Sequence, residues 1–130
     1  MREMVFVTYN VDKKFLEGIR KGDKIRINNW KRSMPVVGVS ENFILCGYPA
    51  FGSHVYSIID KRMNLWRHNN MEPDTFICGP DNTVFGYYSY NFRSPEVVND
   101  YLAALESGEI AISSRRGMSI KHMRVMRNDA

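Results

Sequence analysis

Apolar and polar residues alternate along the first half of the chain, with the two-residue period that is typical of β-strands. The alternation predicts four short strands, at residues 24–29, 36–39, 43–46 and 55–59. A shorter apolar run at 4–7 predicts either a first strand or an entry segment. A tight polar turn joins the strand at 36–39 to the strand at 43–46. Short strands connected in this way predict a meander that curls into a small barrel.

The clearest helical signal lies in the second half of the chain. Ser94 is placed as an N-cap, Pro95 stands at the first helical position, and Gly108 ends the helix. One apolar stripe runs along the segment and consists of Val97, Val98, Tyr101, Leu102 and Leu105. We therefore expect an amphipathic helix over residues 94–107, packed against the sheet.

A shorter helix is predicted near the N-terminus. Asn10 can cap it, and Gly22 can end it in the left-handed conformation that glycine adopts easily. The apolar stripe between these two residues consists of Val11, Phe15, Leu16 and Ile19.

The rest of the chain predicts one loop and two pairs of strands. Residues 63–75 are rich in asparagine and are expected to form a long exposed loop. The segments 76–78 and 83–88 flank a Gly-Pro-Asp-Asn turn and predict a hairpin. Alternation returns at 109–113 and 118–125, which predicts two further strands.

Together these elements predict a single α+β domain over residues 1–130. We expect a strongly bent, mostly antiparallel sheet or small SH3-like barrel, with a long amphipathic helix in the C-terminal half and a shorter N-terminal helix. A chain of 130 residues has the length of one ordinary domain and needs neither a metal nor a disulfide to be stable.

Composition places the chain among ordinary globular proteins. Hydrophobic residues make up 44% of it and charged residues 25%, close to the globular average. No apolar run approaches the ~20 residues that cross a bilayer, so no membrane association is expected. The two cysteines, Cys46 and Cys78, are expected to be free thiols within strands, and a cytoplasmic location is expected.

Motifs for catalysis and metal binding are missing from the sequence. The three histidines and two cysteines show neither C-x-x-C nor H-x-x-x-H spacing, so we expect no metal site and no cofactor. Neither a G-x-S-x-G turn nor a glycine-rich phosphate-binding loop occurs. The sequence favours a binding protein, and a small enzyme with an unrecognised site stays as an alternative.

Charge is unevenly distributed along the chain. Residues 1–62 carry eleven basic and six acidic side chains, residues 63–114 carry two and seven, and residues 115–130 carry five and one. The overall net charge is +4. These blocks either neutralise each other in the folded protein or leave a basic face for an anionic partner.

A basic face would be built from two segments, at residues 24–32 and 115–127. Cationic side chains near an aromatic ring can neutralise phosphates and stack bases, which is the chemistry of nucleic-acid binding. The alternative is a solvated surface with the tryptophan turned into the core. The candidate nucleic-acid-binding residues are Lys24, Arg26, Trp30, Lys31, Arg32, Arg115, Arg116, Lys121 and Arg124.

A protein-binding surface would come from the aromatic residues that precede the long helix. Tyr88 and Tyr90 would share one strand face and Tyr87 the other, and Trp66 lies in the predicted loop. Exposed tyrosine and tryptophan are common anchors of protein interfaces. Burial of the same residues in the core is the competing interpretation.

Two resemblances accompany these patterns. Gly22-Asp23 before an alternating strand, followed by residues 34–37, resembles the opening of SH3-like barrels. Residues 78–87, 90–92 and 101–110 are similar to small uncharacterised proteins of phages and other mobile elements in Gram-positive bacteria. The second resemblance implies a cytoplasmic accessory protein and assigns no activity or cofactor.

The sequence thus predicts a non-enzymatic accessory or regulatory module of mobile-element origin that binds a macromolecule. A protein partner is favoured over nucleic acid, because the charge is segregated and not uniformly basic. A homo-oligomer is possible, since an exposed sheet edge can pair two copies.

Overall fold

The structure is a computed structural model that describes residues 2–47, 55–68, 77–78, 95–112 and 117–129. Within these ranges the chain forms two helices, α1 (Lys13–Glu17) and α2 (Pro95–Ser107). The strands are β1 (Arg2–Thr8), β2 (Lys24–Ile27), β3 (Met34–Val39), β4 (Phe43–Gly47), β5 (Val55–Asp60), β6 (Leu65–His68), β7 (Ile77–Cys78), β8 (Ala111–Ile112), β9 (Met118–Ser119) and β10 (Met123–Asp129).

Eight of these strands form one antiparallel sheet in the order β1-β10-β2-β3-β4-β5-β6-β9. Strand β9 pairs with β6 at one end of the sheet, and β10 pairs with β2 near the other end. Only three residues separate β9 from β10, so the two ends of the sheet must curl toward each other. Strands β7 and β8 pair separately. The α+β class and the strongly bent, mostly antiparallel sheet are therefore confirmed at the level of a barrel-like sheet with two helices.

The interior of the curled sheet holds the larger apolar cluster. Side chains that alternate along the strands meet there, as the two-residue period predicts. Leu16 of α1, Ile19 just after that helix and Ile120 between β9 and β10 complete the cluster. Its fully or almost fully buried members include Leu16, Ile19, Ile25, Ile27, Met34, Val36, Ile44, Cys46, Ile59, Trp66, Ile120, Met123 and Val125.

Helix α2 covers the outer face of the middle strands and forms a second apolar cluster. Every residue of β4 is buried, because Ile44 and Cys46 face the interior while Phe43 and Leu45 face the helix. The helix contributes the predicted stripe, of which Val98, Tyr101, Leu102 and Leu105 are buried. Gly108 follows the helix with a positive φ of 82°, the conformation that ends helices.

A β-bulge in β3 brings this strand close to α2. The pairing with β4 shifts between Val36 and Gly38, so the side-chain alternation changes at that point. Val36 belongs to the interior cluster, whereas Val37 packs on the side of the helix. A Cβ atom on Gly38 would lie 2.5 Å from Cγ1 of Val98. The absence of a side chain here allows the helix to approach the sheet.

The short N-terminal helix differs from its prediction at both ends. Asp12, and not Asn10, is the N-cap, because its side chain accepts a hydrogen bond of 2.8 Å from the backbone N–H of Phe15. Gly18, and not Gly22, closes the helix. Of the predicted apolar stripe, Val11, Leu16 and Ile19 are buried in the interior. Phe15 is partly buried against the same cluster.

The segment predicted as a long exposed loop contains a buried strand, which corrects that prediction. Asn64 turns the chain with a positive φ of 48° and donates from Nδ2 to the carbonyl of Ile120 at 3.0 Å. Strand β6 follows at once and pairs with β5 along four residues. The tight turn at Asn64 returns the chain to the sheet. Of the predicted loop at 63–75, residues 69–75 lie outside the described residues.

The C-terminal strands are also interrupted where continuous strands were predicted. The segment 118–125 divides into β9 and the beginning of β10, because each half pairs with a different end of the sheet. The segment 109–113 contributes the two residues of β8, which pair with β7. The predicted partner strand at 83–88 lies outside the described residues.

Candidate functional site

Strand β1 lies at one end of the sheet order and is the most exposed apolar segment among the described residues. It pairs with β10 along all seven of its positions, and the strand order places no described strand on its other side. Val5, Phe6 and Val7 are 45%, 39% and 53% exposed, on both faces of the strand. A long edge strand with exposed apolar side chains is a ready site for pairing with another chain.

A cavity of about 540 Å³ lies between β1, β10 and α1, within the usual size range of ligand sites. We call it the edge groove. Its apolar walls come from the sheet and from the helix, and its rim is polar. The lining residues are Phe6, Thr8, Asn10, Asp12, Lys14, Phe15, Gly18, Ile19, Arg20, Val125 and Arg127.

A buried ion pair holds the floor of the edge groove. Arg127 on β10 donates from Nε and Nη2 to the two carboxylate oxygens of Asp23, both at 2.8 Å. Nη2 also donates to the carbonyl of Gly18 at 2.9 Å, which ties β10 to the end of α1. The guanidinium lies 5.2 Å from the centre of the Phe6 ring, a distance at which cations and aromatic rings attract each other.

The rim of the edge groove is positively charged. Lys14 and Arg20 are exposed cations, whereas Asp12 already accepts a hydrogen bond as the N-cap of α1. Asp12 keeps its negative charge, but Lys14 and Arg20 outnumber it, so these exposed groups of the rim carry a net positive charge. The groove therefore suits a molecule with an apolar part and a negative charge.

Folding brings parts of the two predicted basic segments together. Arg26 of β2 lies directly opposite Arg124 of β10 in the antiparallel register, although the two residues are nearly one hundred positions apart in the sequence. Lys24 shares the strand face of Arg26 and is exposed. Lys121 is exposed just before β10.

Asn28 fastens these two segments to each other. Its Nδ2 donates to the carbonyl of Ser119 at 3.1 Å, and its Oδ1 accepts from the N–H of Lys121 at 2.7 Å and of His122 at 3.3 Å. It has a positive φ of 52°, which asparagine tolerates better than most residues. Three hydrogen bonds from one side chain thus fix the loop before β10 against the end of β2.

The other predicted basic residues have different surroundings. Lys31 and Arg32 are exposed in the turn between β2 and β3. Trp30, in the same turn, is half-buried against the interior cluster, with its ring centre 5.7 Å from that of Trp66 in an edge-on arrangement. The tryptophan is turned toward the core, which was the competing interpretation of its role.

Trp66 is not an exposed interface anchor, which corrects one candidate for protein binding. It lies in β6 and is 1% exposed. Its ring contacts Trp30 and also His68, whose ring centre is 5.3 Å away. Burial, together with the nearby charge of Arg67, lowers the pKa of His68. This aromatic cluster fills one end of the curled sheet.

Five further candidates lie outside the described residues. They are Arg115, Arg116, Tyr87, Tyr88 and Tyr90.

A polar cluster attaches the end of α2 to the turn between β3 and β4. The carboxylate of Glu106 accepts from Ser40 Oγ at 2.6 Å, from the Asn42 N–H at 2.8 Å and from Asn42 Nδ2 at 2.7 Å. The buried Lys61 donates to the carbonyl of Ser40 at 2.8 Å, and burial lowers the pKa of its ammonium group. These contacts are structural, since they join elements and line no described cavity.

Glu106 is expected to make the stability depend on pH below about pH 5. Burial alone would raise the pKa of this carboxyl, but the hydrogen bonds from Ser40 and Asn42 outweigh burial and lower it. A lowered pKa means that the carboxylate stabilises the fold above its unfolded pKa of about 4.3 and stops doing so as the pH falls through its folded pKa. The stability difference between the wild type and Glu106→Gln, measured by urea unfolding, should shrink with falling pH over this range.

The control for this titration is Glu109→Gln, which removes an exposed carboxylate that makes no hydrogen bond or ion pair within the described residues. It should leave the pH dependence of stability unchanged. An equal effect of the two substitutions would contradict the assignment to Glu106.

The thiol of Cys46 is buried in strand β4. Burial raises the pKa of the Cys46 thiol to about 12, against a smaller opposing effect of the hydrogen bond with Ser57, so this thiol stays protonated and unreactive at neutral pH. No group of three His, Cys, Asp or Glu side chains with metal-binding geometry occurs in the described part of the chain. Across those same residues, no helix is long and apolar enough to cross a membrane.

Sequence reasoning missed the most exposed features of this surface. Tyr9, just after β1, is 81% exposed, and its ring lies 5.7 Å from the ring of His122. The apolar run in β1 was predicted as a strand but not as an exposed edge. A run of apolar residues normally indicates burial, and only the strand order reveals that β1 lies at the end of the sheet.

Comparisons with protein-family models, with curated proteins and with solved structures found no match for this chain. The functional argument therefore depends on the surface chemistry described above.

Proposed function

We propose that the protein is a non-enzymatic module that captures an extended segment of a partner protein by adding it as a strand to the edge of β1 that no described strand occupies. The observation that carries this proposal is the exposure of Val5, Phe6 and Val7 on a seven-residue edge strand. Strand addition uses backbone hydrogen bonds for affinity and neighbouring pockets for specificity. A long edge strand with exposed apolar side chains favours aggregation when no partner covers it.

The edge groove supplies the specificity in this proposal. Side chains of an added strand alternate between the two faces of the sheet, so every second one points to the face that carries Phe6 and the groove. An apolar side chain at such a position contacts Phe6 and Phe15. Acidic residues nearby reach the exposed cations Lys14 and Arg20. The partner segment is therefore extended, apolar in alternate positions and acidic.

An accessory role fits this mode of binding. The resemblance to mobile-element proteins, the SH3-like description of the barrel and the cytoplasmic location stay predictions within the proposal. Binding modules of this type need no cofactor and act by holding a partner chain in one place.

The first test establishes whether the edge of β1 is available in solution. Sedimentation velocity of the purified full chain over a range of concentrations should show a monomer. A stable dimer that Val7→Lys converts to a monomer would identify a second copy as the occupant of the edge, and would overturn capture of a different protein.

The second test selects partner segments directly. A displayed library of random extended peptides, selected on the immobilised full chain, should yield sequences with alternating apolar positions and acidic residues. Calorimetry of a selected synthetic peptide should show binding that Val7→Lys weakens by about tenfold or more, equivalent to about 1.4 kcal/mol, because a charge on an edge strand opposes strand addition. Phe6→Ala should also weaken binding of the same peptide, because it removes part of the apolar wall of the edge groove.

Met63→Lys is the matched control, since Met63 is an equally apolar and even more exposed residue outside β1. It should leave peptide affinity unchanged. Hydrogen exchange should show new protection of β1 amides when the peptide is bound. Peptides that bind Val7→Lys and the wild type equally well, without new protection in β1, would disprove strand addition.

A further inference from the structure

The outer face of β1, β10 and β2 carries a concentrated positive charge. Two rows of side chains cross these strands: Val7, Arg124 and Arg26 lie in one row, and Val5, Met126 and Lys24 in the next. Directly opposed residues on antiparallel strands are about 5 Å apart, and residues two positions apart along a strand are separated by about 7 Å. Three cations thus occupy one small, rigid area, which we call the outer basic face (Lys24, Arg26 and Arg124).

No acidic side chain among the described residues neutralises these cations. Like charges directly opposite each other destabilise a sheet, and Arg26 faces Arg124 in this way. Within the described part of the chain, neither arginine nor Lys24 forms an ion pair. Nε of Arg124 is buried without a hydrogen-bond partner in the same part of the chain. The nearest acidic side chain of β1 on this face is Glu3, beside Asn128, which lies one row from Lys24 and two rows from the arginines. An external anion would relieve the repulsion.

An aromatic pair borders the outer basic face, with Tyr9 exposed and His122 partly buried. His122 lies two residues before Arg124, and its ring contacts the ring of Tyr9 at 5.7 Å, with a 37° angle between the planes. Tyr9 is highly exposed. Aromatic rings beside a line of cations form the usual surface for single-stranded nucleic acid, because bases stack on the rings while phosphates contact the cations.

We propose that the outer basic face binds single-stranded nucleic acid, with backbone phosphates at Lys24, Arg26 and Arg124 and a base stacked on Tyr9. A duplex buries its bases in the stack and offers none to Tyr9, so the single strand is the better fit. This proposal is independent of peptide capture, since the edge groove lies on the opposite face of β1 and β10.

The test measures fluorescence anisotropy of labelled oligo-dT and oligo-rU of about ten nucleotides, within the site sizes of small barrels, on the full chain. Three phosphate contacts predict a log–log salt slope near −2, so affinity should fall about 20-fold between ~50 mM and ~200 mM salt. The double variant Arg26→Ala/Arg124→Ala should reduce the slope to about −0.7 and weaken binding most at low salt. Tyr9→Ala should weaken binding about fivefold or more, whereas Tyr9→Phe retains it.

The matched control is Lys13→Ala/Lys21→Ala, which removes the same charge from exposed positions outside both the outer basic face and the edge groove. It should leave affinity for the oligonucleotides nearly unchanged. Val7→Lys, which adds a cation beside Arg124, should preserve or strengthen nucleic-acid binding while it weakens peptide capture. The two proposals can therefore be told apart, because either one can be disproved while the other stands.

Several results would overturn the proposal. These are no binding at ~50 mM salt, equal losses in the arginine variant and its lysine control, or tighter binding of duplex than of single strands. Binding of the wild type to vesicles that contain phosphatidylserine, without binding to oligonucleotides, would assign the outer basic face to a membrane surface instead.

Discussion

Replacing Asp23 with alanine is expected to lower the free energy of unfolding by about 3–5 kcal/mol, the usual cost of removing one partner from a buried ion pair. The Asp23 side chain is 2% exposed and that of Arg127 is 13% exposed. Asp23 accepts two hydrogen bonds from Arg127 and a third, of 2.9 Å, from the backbone N–H of Arg20. The alanine variant removes the carboxylate that accepts both of these hydrogen bonds from a largely buried guanidinium. Urea unfolding monitored by circular dichroism measures the loss.

Two companion variants identify the cause of that loss. Asp23→Asn keeps the size of the side chain and removes the charge, so it should also destabilise the protein. The double variant Asp23→Ala/Arg127→Met should be more stable than Asp23→Ala alone, because it also removes the buried charge that has lost its Asp23 partner. A loss below about 1 kcal/mol in Asp23→Ala would contradict this expectation, since it would place the pair among ordinary surface salt bridges.

Adding one methyl group at Gly38 is expected to destabilise the fold by about 1–3 kcal/mol, the usual cost of overpacking a core. The new Cβ would lie 2.5 Å from Cγ1 of Val98 and 3.1 Å from Cδ1 of Leu102. Val98 is β-branched and lies on a helix, so its side chain has essentially one rotamer available and cannot move aside cheaply. Gly38→Ala must therefore displace α2 from the sheet. Thermal and urea unfolding should both register the change.

A double-mutant cycle tests this contact specifically. Val98→Ala removes the clashing methyl group, so Gly38→Ala should cost at least 0.5–1 kcal/mol less in that background, a coupling of the size that contacting residues show. Gly18→Ala is the control, because its Cβ would lie 3.4 Å from the nearest atom, the carbonyl oxygen of Phe15. It should change stability by no more than about 0.5 kcal/mol. Strictly additive costs for Gly38→Ala and Val98→Ala would show that the helix does not limit the space at Gly38.

The elements that were predicted well are those whose signals are local. The helix in the second half of the chain has its apolar stripe, its proline start and its glycine end within fourteen residues, and α2 occupies nearly the predicted span. Strands β3 and β4 also lie where alternation placed them. The N-terminal helix was misjudged because two residues, Asn10 and Asp12, could each cap it. Only the position of the Phe15 N–H decides between them.

The candidate sites depend on contacts that no local pattern encodes. Strand β6 was predicted as a loop because polar residues surround Trp66 and hide the alternation. Its pairing with β5 buries Trp66 all the same. Arg26 and Arg124 were both candidates, but their juxtaposition depends on the pairing of β2 with β10. Tyr9 was overlooked because a single aromatic residue after a strand carries no signal of exposure.

The sequence alone determined the class of the fold, most of the strands and the absence of recognisable catalytic motifs, because these depend on periods and spacings within a few residues. The tertiary structure decided which apolar strand stays exposed and which cations share a face. Both outcomes depend on strand order, and strand order is set by the burial of the whole interior cluster rather than by any one segment. Once the last strand pairs between β1 and β2, the apolar residues of β1 lie at the edge of the sheet, and Arg124 lies beside Arg26.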